Sequence, residues 1–340
     1  MTIALAAVAG IALGFVLSRG DFCFHSTWRQ FFASPSNPSL LRAYVVLLLV
    51  STPVVQLLIA MGVIAPFVPS FAPAAAIGGG LLFGAGMVIA KTCISGMFYK
   101  LGNGMLGMVV ALAAWATGDI VTWRGPLKGI RESLTSREIS ASTDDGGTSA
   151  ATISSLLGLP GILLLIVVAA GLAVWSARGE ASESPESLTS LAGAKLGVAT
   201  AVVMTLGWLL ATWHGFNYSF GTSSVPSQIW ASVVRGEATN WWIPLGLISI
   251  VPGAFIAATT AKTLWVRGEQ TRRFAELSVG GFVMGVGAAI AGGCNLGHSM
   301  VGVPLLSIGS IVTTLAIAAG VYIASRIRSL SQQTCPAPVH

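Results

Sequence analysis

Charge is scarce in this chain, and acid is scarcer than base. Only 9% of its 340 residues are charged, 12 acidic against 18 basic. A soluble domain carries about 25%, so a soluble globular fold is excluded. A mean hydropathy of +0.80 and 54% hydrophobic residues make it an integral membrane protein. There are four cysteines, Cys23, Cys93, Cys294 and Cys335, with no CxxC pair. That spacing gives neither a zinc knuckle nor a thioredoxin-type redox pair. Ligand spacings such as HxxxH are also missing, so no metal or other cofactor is expected. No phosphate-binding Gly-Lys-Ser/Thr loop and no series of membrane carboxylates marks an energy source. A basic stripe with interleaved aromatics is absent too, which excludes nucleic acid as a partner. Residues 1–18 lack a basic leader and run into Arg19, so no cleaved signal is expected.

What is present is a series of apolar runs. They read as roughly 2–18, 41–63, 75–90, 104–123, 156–176, 192–213, 242–262, 275–291 and 303–325. A span needs about 20 residues, fewer when packed against protein. This predicts an all-α protein with about nine transmembrane helices. Segments 19–40, 91–103, 214–240 and 292–302 are too rich in Gly, Ser, Asn and Pro for clean spans, yet too apolar for ordinary loops. They predict re-entrant or broken helices, which a membrane tolerates where protein or a cavity covers the backbone. Residues 124–155 and 177–191 are polar and read as a long loop and a linker. The net charge of +6 reflects the positive-inside bias, with anionic lipid or an anionic substrate as further readings. Nine alternating spans with the C-terminus inside put 13 Lys and Arg inside and 5 outside, which favours N-out, C-in.

The chain resembles itself at a constant offset of 201 residues. GLLFGAGMVIAKTCISG (80–96) aligns with GFVMGVGAAIAGGCNLG (281–297), matching Cys93 to Cys294 and Gly96 to Gly297. GFVLSRG (14–20) falls on GFNYSFG (215–221) without a gap, and Cys23 then falls on Ser224. The expected organisation is a first repeat at 1–125, a loop–span–linker region at 126–194, a second repeat at 195–326 and a tail at 327–340. One span between two sets of four inverts the second repeat. Inverted repeats recur in transporters, with the site at their interface.

Glycines at a motif cysteine let the backbone turn tightly, as in KTCISG and GGCNLG. A helix end beside such a break aims free N–H groups at an anion. A thiol there is a weak donor that binds and lets go. Cys23, in SRGDFCFHSTW, would be the third such thiol, with Ser224 as its hydroxyl counterpart. The inverted reading expects Cys93 and Cys294 close together at mid-depth, Cys23 toward one mouth and Ser224 toward the other. A free cysteine is also a common small core hydrophobe, and its recurrence at one register argues against that here. His25 and His298 each follow a cysteine; His298 reads as a pore-mouth base or a structural histidine. Lys91 could attract an anion or snorkel. Asn295 could donate to substrate or cap a half-helix. Asp119, acidic within an apolar run, reads as a capping or interfacial residue. Cys335, in a polar tail, reads as incidental.

With SRGDFCF, KTCISG and GGCNLGH in two halves, the chain resembles the YeeE/YedE family of membrane sulfur-transport proteins. The resemblance covers nearly the whole chain. It implies an hourglass-like shape and thiosulfate uptake through the bacterial inner membrane. It also implies that Cys23, Cys93 and Cys294 pass the anion along by transient thiol hydrogen bonds, with no enzyme activity. A separate cytoplasmic TusA-like sulfurtransferase is an implied partner, beside membrane lipid. The alternatives are another small sulfur or selenium species, or a membrane thiol–disulfide oxidoreductase, which would want paired cysteines of depressed pKa.

Overall fold

The computed structural model describes residues 2–33, 38–142, 148–150, 152–153 and 193–333. The expected span at 156–176, the linker at 177–191 and Cys335 lie outside them. In a membrane the backbone must satisfy its own polar groups, so apolar runs close as helices. They do so as α1 (Thr2–Arg19), α2 (Phe24–Phe31), α3 (Ser39–Ala60), α4 (Pro73–Ala90), α5 (Ile94–Gly102) and α6 (Met108–Trp123). After the central region come α8 (Gly193–Trp213), α9 (Val225–Arg235), α10 (Trp242–Ile248), α11 (Ile250–Thr260), α12 (Thr271–Ala291) and α13 (Ile308–Gln333). Among the described residues, seven segments are long and apolar enough to cross a membrane, and Met108–Trp123 is a shorter apolar helix. The protein is an all-helical, multi-pass membrane protein.

Three details differ from the sequence reading, each for a local reason. The polar stretch after α6 is not all loop. It folds a short helix, α7 (Lys128–Thr135), and a small hairpin of β1 (Ser140–Ser142) and β2 (Thr148–Ala150). The apolar run 242–262 is divided at Ser249, because Pro252 has no N–H to give the carbonyl of Ile248. The last helix runs to Gln333, through residues read as a tail, since no proline follows before Pro336.

The helices pack by close backbone approach at glycine. A methyl on Gly79 would sit 2.5 Å from the amide nitrogen of Ala291, and one on Gly280 would sit 2.5 Å from that of Ala90. Gly86 meets Met284, and Gly287 meets Phe83. Each contact maps onto the next when the halves are exchanged by 201 residues. Rising numbers in α4 meet falling numbers in α12, so these two central helices run antiparallel. The outer pairs follow the same exchange: α4 packs on α13 as α12 packs on α6, and α1 packs on α11 as α8 packs on α3. Small residues allow this where lipid leaves no hydrophobic force between helices.

Candidate functional site

Both central helices stop at the same register, and for the same conformational reason. The residue after α4, Lys91, is left-handed at φ 52°, and its counterpart after α12, Gly292, at φ 82°. Glycine takes this conformation freely and lysine does not. Three residues past the last helical residue in each case stands a motif cysteine.

Cys93 is the extended N-cap of α5, and its Sγ accepts from the Gly96 N–H at 3.3 Å. Cys23 is the extended N-cap of α2. Its Sγ lies 3.4 Å from that of Cys93, close enough for S–H···S donation. The hydroxyl of Ser95 lies 3.3 Å from the Cys93 sulfur and that of Thr92 4.0 Å from the Cys23 sulfur. Both thiols are buried. The N-termini of two short helices therefore converge on a thiol pair, where their partial positive charge favours an anion. Gly96 makes the convergence possible: a methyl there would sit 3.0 Å from the Cys23 sulfur and 2.6 Å from the Thr92 hydroxyl.

Cys294 has different neighbours. Its Sγ accepts from the Leu296 N–H at 3.2 Å and faces Thr222. The segment after it, Leu296–Gly302, is π-helical, with Val303 N–H donating to His298 O at 2.8 Å. Single π turns of this kind gather at functional sites. A cavity of about 560 Å³ opens beside it, lined by Tyr218, Thr222, Ser224, Gly293, Gly297 and Arg131 among others. Among the described residues the Thr313 hydroxyl is buried against this cavity with no hydrogen-bond partner, while that of Thr222 has the Cys294 thiol as its neighbour.

The pairing of thiols thus differs from the one the repeat suggested. Cys23 is in contact with Cys93, a pairing the repeat did not suggest. Among the described residues no hydrogen bond joins Cys294 to either. The reason is local: Gly96 lets α2 and α5 meet end to end, whereas in the second half a tyrosine hydroxyl, Tyr218, fills the place against Gly297 and donates to its carbonyl at 3.1 Å.

The other candidates are mostly engaged within the protein. Asn295 donates to the Met87 sulfur at 3.3 Å and accepts from Ser299. His298 is buried, with Nε2 3.1 Å from the Ala291 carbonyl and Nδ1 3.1 Å from Ser310 Oγ. A carbonyl only accepts, so Nε2 carries the proton and Nδ1 takes that of Ser310. His25 is buried within α2. Lys91 is tied to Glu276 at 2.9 Å. Ser224 caps α9, lines the cavity, and accepts from Gln228 at 2.6 Å. Asp119 is the helix cap: its two oxygens accept the Ser224 and Ser227 N–H groups at 3.0 and 3.1 Å. Among the described residues no three His, Cys, Asp or Glu side chains gather to hold a metal.

Two charged groups had no sequence signal. Arg131, in α7, stacks 3.4 Å over the Trp123 ring and donates from Nε to the Ala289 carbonyl at 3.1 Å. Burial pushes its pKa below the ordinary arginine value, against the pull of Glu132 and Asp119; arginine stays a cation under such a shift. Glu276, in α12, gathers Lys91, Arg273 and Arg328 within 3.1 Å. A loop arginine and a lone glutamate in a helix give no pattern; only the fold brings them to the ends of the broken helices.

The family described as Sulphur transport matches this chain over residues 19–323. The thiosulfate transporter TsuA of Spirochaeta thermophila is 30% identical over 319 residues, covering 91% of this chain and 93% of that protein. The protein of the same name from Escherichia coli K12 is 26% identical over 336 residues, covering 94% and 92%.

Proposed function

This chain belongs to the sulphur transport family and is a transporter, not an enzyme; on that premise we propose that it carries thiosulfate into the cell through a thiol-lined path. The proposed route runs from the cavity beside Cys294, through a central constriction, to the Cys23–Cys93 pair. The observation that carries it is the placing of three buried thiols at the breaks of spanning helices, two of them in contact and the third beside a cavity lined by hydroxyls.

The chemistry suits a small divalent anion. Taking such a charge out of water is costly. Helix N-termini, hydroxyl and thiol donors and the Arg131 guanidinium on the cavity wall offset part of that cost. A thiol donates weakly and is soft, like the terminal sulfur of thiosulfate. The TsuA names of both relatives support this substrate over another sulfur or selenium anion. The reading places the protein in the inner membrane, N-terminus out and C-terminus in, with the Arg131 cavity facing outward. It takes residues 1–125 and 195–326 as inverted repeats, which the reciprocal glycine contacts and the antiparallel central helices support. A cytoplasmic TusA-like acceptor would receive the anion on the inner side.

The test is uptake. Cells with no other sulfur source should grow on thiosulfate with the wild-type chain and not with Cys294→Ala, the variant being inserted at normal levels. Normal growth of the variant would remove the thiol path. Growth on a selenium or other sulfur anion, and not on thiosulfate, would redirect the substrate.

A further inference from the structure

The two broken helices end in carbonyls that a membrane leaves without water. The last four carbonyls of any helix lack helical partners, so here something must supply donors. In the first half, Arg328 Nη1 donates to Val88 O at 3.1 Å and Arg273 Nη2 to Ala90 O at 2.6 Å. In the second half, Arg131 Nε donates to Ala289 O at 3.1 Å and His298 Nε2 to Ala291 O at 3.1 Å. The acceptors are register partners: 88 matches 289, and 90 matches 291. The donors are not. None of the four stands at the repeat position of another. The same two carbonyls are thus held in both halves by unrelated side chains from different elements. Common ancestry does not account for that, whereas a shared need at those two atoms does. Three residues beyond the second carbonyl comes the cysteine, in both halves.

The two clamps differ in one respect. Arg273 and Arg328 are both held by a single carboxylate, Glu276, at 3.0 and 3.1 Å, and Lys91 joins it at 2.9 Å. Each guanidinium therefore bridges Glu276 to a carbonyl of the α4 end. Among the described residues neither Arg131 nor His298 forms an ion pair, and Glu132 and Asp119 act on Arg131 only through longer-range attraction.

We propose that Glu276, through Arg273 and Arg328, is a positioning residue that fixes the Cys93 turn against Cys23 for anion transfer. It touches neither thiol. It acts by orienting two guanidiniums that hold the carbonyls on which the turn is built. The inference rests on reading Cys93 as part of the path.

The experiment measures thiol reactivity and uptake separately, in membrane vesicles holding the full chain with Cys335→Ser. N-ethylmaleimide labelling is followed peptide by peptide for Cys93 and Cys294. In Glu276→Gln, Cys93 should label about tenfold faster, the factor carried by one charge-assisted hydrogen bond, with Cys294 unchanged and thiosulfate uptake reduced. Arg273→Lys, which keeps the charge but not the bridge, should do the same. If both thiols accelerate together and the melting temperature falls, the residue is merely structural and the proposal fails. Unchanged Cys93 labelling, with uptake still lost in Cys93→Ala, also removes the clamp and leaves the path standing. Faster Cys93 labelling with undiminished uptake overturns the proposal, because transfer would then not depend on the clamped turn.

Discussion

Asp119 offers the sharpest energetic test of the fold. It is fully buried on α6, and both its oxygens accept backbone N–H groups of the α9 start, from Ser224 at 3.0 Å and Ser227 at 3.1 Å. Its register partner in the other half is Gly320, which packs against the Leu81 carbonyl, so this cap belongs to one half alone. Replacing it with alanine leaves the buried Ser227 N–H and the half-buried Ser224 N–H unpaired. A buried donor left without a partner costs about 1–3 kcal/mol, so Asp119→Ala should cost about 2–5 kcal/mol. Asp119→Asn keeps one acceptor oxygen and turns an amide donor toward an N–H, so about half of that should be lost. The assay is equilibrium denaturation in mixed micelles followed by tryptophan fluorescence. The order should be wild type, then Asn, then Ala. An alanine variant within about 1 kcal/mol of wild type, near the span of ordinary surface changes, would refute the view that the α9 start depends on this carboxylate.

The remaining predictions concern single contacts. Gly96→Ala should lower thiosulfate uptake sharply, because the added methyl meets the Cys23 sulfur and Thr92, whereas Gly297→Ala should be tolerated, its nearest neighbour being Tyr218 Oη at 3.5 Å; equal effects in an uptake assay would contradict the geometry. The 3.4 Å sulfur contact predicts that oxygen with copper phenanthroline joins Cys23 to Cys93 and not to Cys294, since a disulfide needs only about 1.4 Å of closure to its 2.05 Å bond; peptide mapping without reductant reads the outcome. Glu237, in the loop after α9, bonds to Arg124 at 2.8 Å, and that bond holds its pKa below the ordinary glutamate value. A lowered carboxylate stabilises at neutral pH and stops doing so as pH falls through its folded pKa, so Glu237→Gln should remove an acid-sensitive component of thermal stability seen in the wild type; identical pH profiles of the two would count against the pair.

Much of this protein was legible in its sequence because a membrane leaves few options. Apolar runs must be helices, glycine must mark breaks or close approach, and an ungapped 201-residue offset carries both across two halves. The place of Asp119 near a span end pointed to a capping or interfacial role, and the structure has its oxygens accepting the N–H groups of the α9 start. At Lys91, Asn295 and His298 the sequence left two roles open each, and the bonds of His298 to Ala291 and Ser310 fit the structural one. A residue type near a thiol says what it can bond to, not where its side chain is sent.

The linear order therefore determined the spans, the breaks and which cysteines share a register, each being a local property of backbone sterics and hydropathy. Only the tertiary structure decided which thiol meets which, and which charges hold the broken ends. Those depend on how far two helices approach across the bundle, a distance set by packing between residues that are remote in the chain.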